Sequence, residues 1–204
     1  MFSQPFQGVV RHLVILNVLA YFASHILLGE PHSESLGRYM LAAWPPESGQ
    51  FQPYQLLSSL FMHFDIAHLA FNMFSLYMFG TMVEMIWGPK RFLLYYLLCG
   101  VGALALHFYM GHLLQDAPGP VMGASGAIYG ILIAFAYLFP DVQLQLLFPP
   151  IPIKAKYLAL ILIAVDVLGG FGGYQSKTAH FAHLGGALTG FLLILGWYRG
   201  RLRP

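Results

Sequence analysis

Charge is what this chain is short of. Of its 204 residues, 9% are Asp, Glu, Lys or Arg and 58% are hydrophobic, where a soluble domain carries roughly 25% charged residues. So few charges cannot coat a water-facing surface, and a mean hydropathy of +0.66 agrees. The chain is therefore expected to be an integral membrane protein forming a single unit over 1–204. A net charge of +2 is too small to attract a polyanion, so no nucleic acid is expected as a partner. Cysteine is the next scarcity: Cys99 stands alone, which excludes a disulfide within the chain. Internal repeats and low-complexity tracts are missing too. The first apolar stretch is interrupted by Arg11 and lacks a small-residue cleavage site after it, so it reads as a retained helix and not as a signal peptide.

What the chain has is apolar runs of spanning length. A helix crossing the hydrocarbon needs about 20 mostly apolar residues, and six stretches approach that: 9–28, 66–87, 92–112, 123–139, 157–170 and 178–198. Gly88-Pro89, Pro149-Pro150-Ile-Pro152 and Gly169-Gly170 punctuate them. The long insert 29–59, between the first two, carries Pro31, Pro45, Pro46 and Pro53 with Trp44, Phe51 and Tyr54, a composition suited to the membrane interface. With six spans both termini share a side. That side collects Arg11, Lys90, Arg91, Lys154, Lys156, Arg199, Arg201 and Arg203, against Arg38 and Lys177 on the other. The excess of cations places both termini in the cytoplasm and the long insert outside.

The chemistry gathers at Val121-Met-Gly-Ala-Ser-Gly-Ala-Ile-Tyr-Gly130, where Ser125 sits between glycines as a Pro-rich loop turns into an apolar helix. The first N–H groups of a helix have no partner within it, and the positive end of its dipole points outward. An oxyanion can be stabilised there. This fourth segment has 17 residues, about 25 Å of helix against about 30 Å of hydrocarbon. Its head must stop short of the outer surface, and backbone at that depth survives only beside protein or a water-filled cavity. A wet cavity open to the outside is expected.

A base stands at the matching depth. His183, within Ala182-His-Leu-Gly-Gly186, lies roughly 7–8 Å below the start of the last segment by helical rise. Gly186 and Gly190 repeat the spacing of Gly126 and Gly130, which lets two helices approach closely. Close contact would bring the Ser125 hydroxyl to the His183 imidazole, the minimum for an activated nucleophile. In the second segment His68 and Asn72 share a face at i and i+4, with Asp65 as N-cap. Both are possible oxyanion donors. His63 and His68 lack a third ligand at metalloprotease spacing, so no metal or other cofactor is expected, and His63 reads as a loop brace. Asp166 in the fifth segment is an intramembrane acid whose reading stays open between gating and a satisfied packing role.

Taken together, His63-x4-His68-x3-Asn72, Gly123-Ala-Ser125-Gly126 with Tyr129, and Ala182-His183 with Gly186 and Gly190 resemble the rhomboid family of intramembrane serine proteases. The resemblance implies an all-α, bacterial-type six-transmembrane-helix bundle with a long outer loop between helices 1 and 2. It implies a serine endopeptidase acting on transmembrane protein substrates in the lipid bilayer, through a Ser125–His183 dyad without an acidic third member. Ser125, His68 and Asn72 would share the oxyanion, Tyr129 would stack on His183, and Gly123 would let the loop backbone reach the substrate. Glu84 matches a structural position. A bacterial inner (plasma) membrane is the location such a protein would occupy. In place of the family's Trp-Arg in the outer loop stands Tyr54-Gln55. The loop is expected to rely on Trp44, Phe51 and Tyr54, with Gln55 the lesser contributor. The competing functions are a small transporter, which should show inverted repeats, and a non-catalytic protein that binds membrane clients on the same scaffold.

Overall fold

The computed structural model describes residues 8–28, 40–114, 119–145, 151–172 and 180–198. Six helices dominate it: α1 (Val9–Leu28), α2 (Ile66–Trp87), α3 (Pro89–Leu113), α4 (Ser125–Leu138), α5 (Ala155–Phe171) and α6 (His180–Tyr198). Among the described residues α2, α3 and α6 are long and apolar enough to cross a membrane, while α1 and α4 offer shorter apolar stretches. The protein has the all-α membrane fold that the apolar runs and the rhomboid resemblance led us to expect. Arg38, Lys177, Arg199, Arg201 and Arg203, which entered the orientation argument, lie outside the described residues, as do 29–39 of the long insert.

Local chemistry accounts for the joints. Gly88, at φ +76°, is the whole link between α2 and α3, and Pro89 opens α3 three residues earlier than the apolar run suggested. Proline suits that first helical position, whose N–H would be unpaired in any case. α2 loosens to a π-type turn over Leu76–Gly80 before resuming. Glu84 near its C-terminal end accepts from the backbone N–H groups of Val9 (2.7 Å) and Val10 (2.9 Å). A carboxylate there caps the orphan donors of α1 and complements its dipole. At the same end Arg91 lies 4.3 Å from the Trp197 ring centroid, and Trp87 Nε1–H donates to the Tyr198 hydroxyl at 2.8 Å. One element has no counterpart in the sequence reading: a two-stranded antiparallel ribbon, β1 (Gln143–Gln145) with β2 (Pro152–Lys154). Three-residue strands of Gln, Leu, Pro, Ile and Lys are too short to leave a period-2 signal.

α4 forms the axis of the bundle. Gly126, Ala127, Ile128, Gly130, Ile131, Leu132, Ala134 and Phe135 are all buried, so it meets protein nearly all round. α6 lies against both α3 and α4. The approach is close enough that a Cβ on Gly186 would collide with the Gly126 carbonyl group. Tyr95, fully buried on α3, donates its hydroxyl to the Gly130 carbonyl at 2.7 Å. Outward faces carry exposed Phe71, Leu160, Leu168 and Leu192, surface that lipid and not water must cover.

Candidate active site

The loop before α4 is fixed before the helix begins. Val121 and Ala43 exchange two backbone bonds of 2.9 Å, and Gly123 N–H donates to the Ser59 carbonyl at 2.9 Å. Gly123 holds φ +126°, a conformation that residues with a Cβ rarely adopt. The first backbone bond of α4 runs from Ile128 N–H to the Ala124 carbonyl. The N–H groups of Ser125, Gly126 and Ala127 are therefore left without a partner inside the helix.

Ser125 and His183 come together. The hydroxyl Oγ of Ser125 is 3.0 Å from His183 Nε2. Both residues are half-buried, neither sealed in the core nor fully exposed. Tyr129, one turn below Ser125, stacks on the His183 ring with centroids 4.3 Å apart and planes at 9°. Gly126 and Gly186 form the close helix contact that sets this separation.

His68 and Asn72 face the same place from α2. Asp65 caps the helix by accepting from His68 N–H at 2.7 Å. A Cβ on Gly123 would stand 2.8 Å from His68 Cε1 and 3.8 Å from Asn72 Nδ2, so the loop backbone and both side chains converge. Asn72 is 6% exposed, and its Nδ2 has no acceptor among the described residues. An unused buried donor is an asset where negative charge is to develop. His63 sits edge-on to His68 at 5.0 Å. Neither ring nitrogen makes a hydrogen bond of good geometry among the described residues, although the Phe61 backbone beside it in the loop lies close enough to favour the protonated ring. Burial first, then the neighbouring His68, pushes its imidazole down to about 4, which keeps it neutral.

The partners of two residues were not readable from the sequence. Asp166 Oδ1 is 3.1 Å from His183 Nδ1 and 2.7 Å from His180 Nδ1. The signal available was His180 and His183 at i and i+3 on one helix face, with a buried acid on the preceding helix. Gln55 overturns the reading of the outer loop. It is 1% exposed, whereas Tyr54 is 51% exposed. Its Oε1 accepts from Gln52 N–H (3.0 Å) and Trp44 N–H (3.4 Å), and its Nε2 donates to the carbonyls of Met40 (3.0 Å) and Gln50 (3.2 Å). The amide, a donor and acceptor at once, ties four backbone groups that a guanidinium could not. A cavity of about 450 Å³, lined by Phe51, Leu104 and Phe108 among others, includes none of Ser125, His183, His68 or Asn72. Among the described residues no group of three or more His, Cys, Asp or Glu side chains is placed to hold a metal ion.

A family model described as the rhomboid domain matches residues 50–200. The chain belongs to the rhomboid family. It is 33% identical to the mitochondrial RHOMBOID-like protein 12 of Arabidopsis thaliana, over 97% of this chain and 62% of that protein. It is 33% identical to the rhomboid protease GluP of Bacillus subtilis, over 87% of this chain and 32% of that protein. It is 35% identical to the mitochondrial presenilin-associated rhomboid-like protein of Homo sapiens, over 70% of this chain and 36% of that protein. This rhomboid chain thus spans about a third to three-fifths of the length of these curated relatives. It is a multi-pass integral membrane protein. The expected bacterial inner membrane has no support in these names, two of which are mitochondrial.

Proposed function

We propose that this rhomboid is an intramembrane serine endopeptidase, cleaving transmembrane segments of other membrane proteins with Ser125 as nucleophile and His183 as general base. The observation that carries the reading is the 3.0 Å approach of Ser125 Oγ to His183 Nε2 at the uncapped head of α4. As Ser125 Oγ attacks a peptide carbonyl, His183 Nε2 takes its proton and then delivers it to the leaving amine. Water, activated by the same imidazole, releases the acyl group. The oxyanion receives the Ser125 N–H with Asn72 Nδ2 and His68, donors already turned toward the Gly123 loop.

Substrate choice follows from the approach. The carbonyls of a stable helix are already hydrogen-bonded, so a segment must unwind before it can be cut, and Gly or Pro nearby eases that. The tight loop at Gly123 and Ala124 favours Ala, Gly, Ser or Cys before the bond. With six spans and both termini cytoplasmic, as the Lys and Arg distribution argues, the cut falls near the outer face. The test is labelling by a fluorophosphonate followed by peptide mapping. Modification of Ser125, lost in His183→Ala, is expected. Labelling elsewhere, or none with a properly folded protein, would overturn the reading.

A further inference from the structure

We propose that Asp166 completes a Ser125–His183–Asp166 relay as a positioning residue, fixing the His183 tautomer that can accept the Ser125 proton. The inference rests on the protease reading above and adds a member to its chemistry.

Three elements meet at one imidazole. Asp166 on α5 presents Oδ1 3.1 Å from His183 Nδ1, on the side of the ring opposite Nε2, which faces Ser125 Oγ at 3.0 Å. An ionised carboxylate can only accept, so that contact requires the proton on Nδ1. A neutral imidazole carries one proton. With it on Nδ1, Nε2 has its lone pair toward the serine hydroxyl, which is the state a general base needs. Tyr129 closes one face of the ring at 4.3 Å, so tautomer, tilt and position are all constrained.

The burial of Asp166 argues the same way. Its side chain is 3% exposed, and a carboxylate in a membrane bundle persists only with partners. His180, one turn before His183 on the same face of α6, approaches the same Oδ1 at 2.7 Å. That contact holds the carboxylate in place while leaving it within reach of His183. When Ser125 Oγ bonds to the substrate carbon, its proton passes to Nε2 and His183 becomes a cation. Asp166 stays ionised beside it and takes no proton. As the C–N bond breaks, the Nε2 proton leaves with the amine and the ring returns to its Nδ1–H form. In the deacylation half, water gives its proton to Nε2 and Ser125 recovers it.

A purely structural Asp166, linking α5 to α6, would show itself as stability and not as turnover. The experiment compares wild type, Asp166→Asn and Asp166→Glu for cleavage of one transmembrane peptide in one detergent, with melting curves alongside. The Asn amide can turn its NH₂ toward Nδ1 and drive the proton to Nε2. Loss of the acid in such a relay costs up to about 10⁴ in kcat in the best-studied case. Here kcat should fall roughly 10²–10⁴-fold, with KM within about threefold, the melting midpoint close to wild type, and partial recovery in Asp166→Glu. A second measurement needs neither activity nor the Asp166 variants. ¹⁵N-histidine spectra of the wild type, with the His183 signals assigned by their loss in His183→Gln, should show a protonated Nδ1 and a bare Nε2. An Asp166→Asn enzyme with kcat within threefold of wild type would overturn the proposal. So would a kcat loss matched by a fall in melting midpoint, or a wild-type His183 protonated on Nε2. If the wild type neither cleaves nor takes up fluorophosphonate, the protease reading has failed. The tautomer then still decides whether Asp166 governs His183.

Discussion

Replacing Gln55 by Ala should destabilise the protein more than replacing its aromatic neighbour Tyr54. Gln55 binds four backbone groups of the outer loop, the N–H groups of Trp44 and Gln52 and the carbonyls of Met40 and Gln50. A typical hydrogen bond contributes about 0.5–1.5 kcal/mol net, and a buried group left unpaired costs about 1–3 kcal/mol. Met40, Gln50 and Gln52 lie at or near the surface, so water can replace the amide at those three. Trp44 and its surroundings are buried, and there the loss is felt in full. Together these give about 2–4 kcal/mol for Gln55→Ala. Tyr54, 51% exposed, leaves half its surface outside in either case, and its loss should cost under about 1 kcal/mol. Gln55→Arg should also destabilise, because a guanidinium offers no acceptor to the Trp44 and Gln52 N–H groups. Thermal unfolding of the three variants in one detergent measures the order. A Tyr54→Ala midpoint at or below that of Gln55→Ala, or a neutral Gln55→Arg, would show that Gln55 does not hold the loop.

Three further outcomes follow from the same structure. Asn72→Ala removes one oxyanion donor and leaves the Ser125 N–H, so kcat should fall by up to ~10²–10³ with little change in KM, read from steady-state cleavage. Gly123→Ala places a Cβ at φ +126° and 2.8 Å from His68 Cε1; fluorophosphonate labelling should slow sharply even in the fraction that folds. His63 is held below its ordinary range, to about 4, so the unfolded chain binds a proton that the folded chain refuses as pH falls from about 6.5. Its contribution is present above that pH and is lost progressively between about 6.5 and 4, up to about 3 kcal/mol. Melting curves of His63→Phe should be less acid-sensitive than wild type across that window, and parallel curves would remove His63 as the cause.

The membrane fold was legible because each helix announced itself through apolar length and through breakers such as Gly88-Pro89. Ser125, His183, His68 and Asn72 could be named because they are polar residues in apolar helices, where a side chain without a task is costly. Helix-face spacing and depth put them at one level, whereas the part played by Gly123, which His68 and Asn72 face, came only from the rhomboid resemblance. Asp166 could be flagged but not placed, since its partner depends on how α5 rotates against α6, which no periodicity within either helix sets. Gln55 was misjudged for a related reason. A residue type says how many bonds a side chain can make, but the number it does make depends on backbone groups brought in from 40–52. The β1–β2 ribbon was missed because three-residue strands carry too few positions for a pattern.

Everything proposed for the site depends on Ser125 doing covalent chemistry on a peptide bond within the bilayer. The direct measurement is cleavage of a transmembrane peptide with a small residue and a nearby helix breaker, co-reconstituted in liposomes with wild type or with Ser125→Ala. The wild type should give a single product pair, mapped by mass spectrometry next to the small residue and toward the outer face. Ser125→Ala should give none while melting like the wild type. Cleavage by Ser125→Ala at the wild-type rate would rule out Ser125 as the nucleophile.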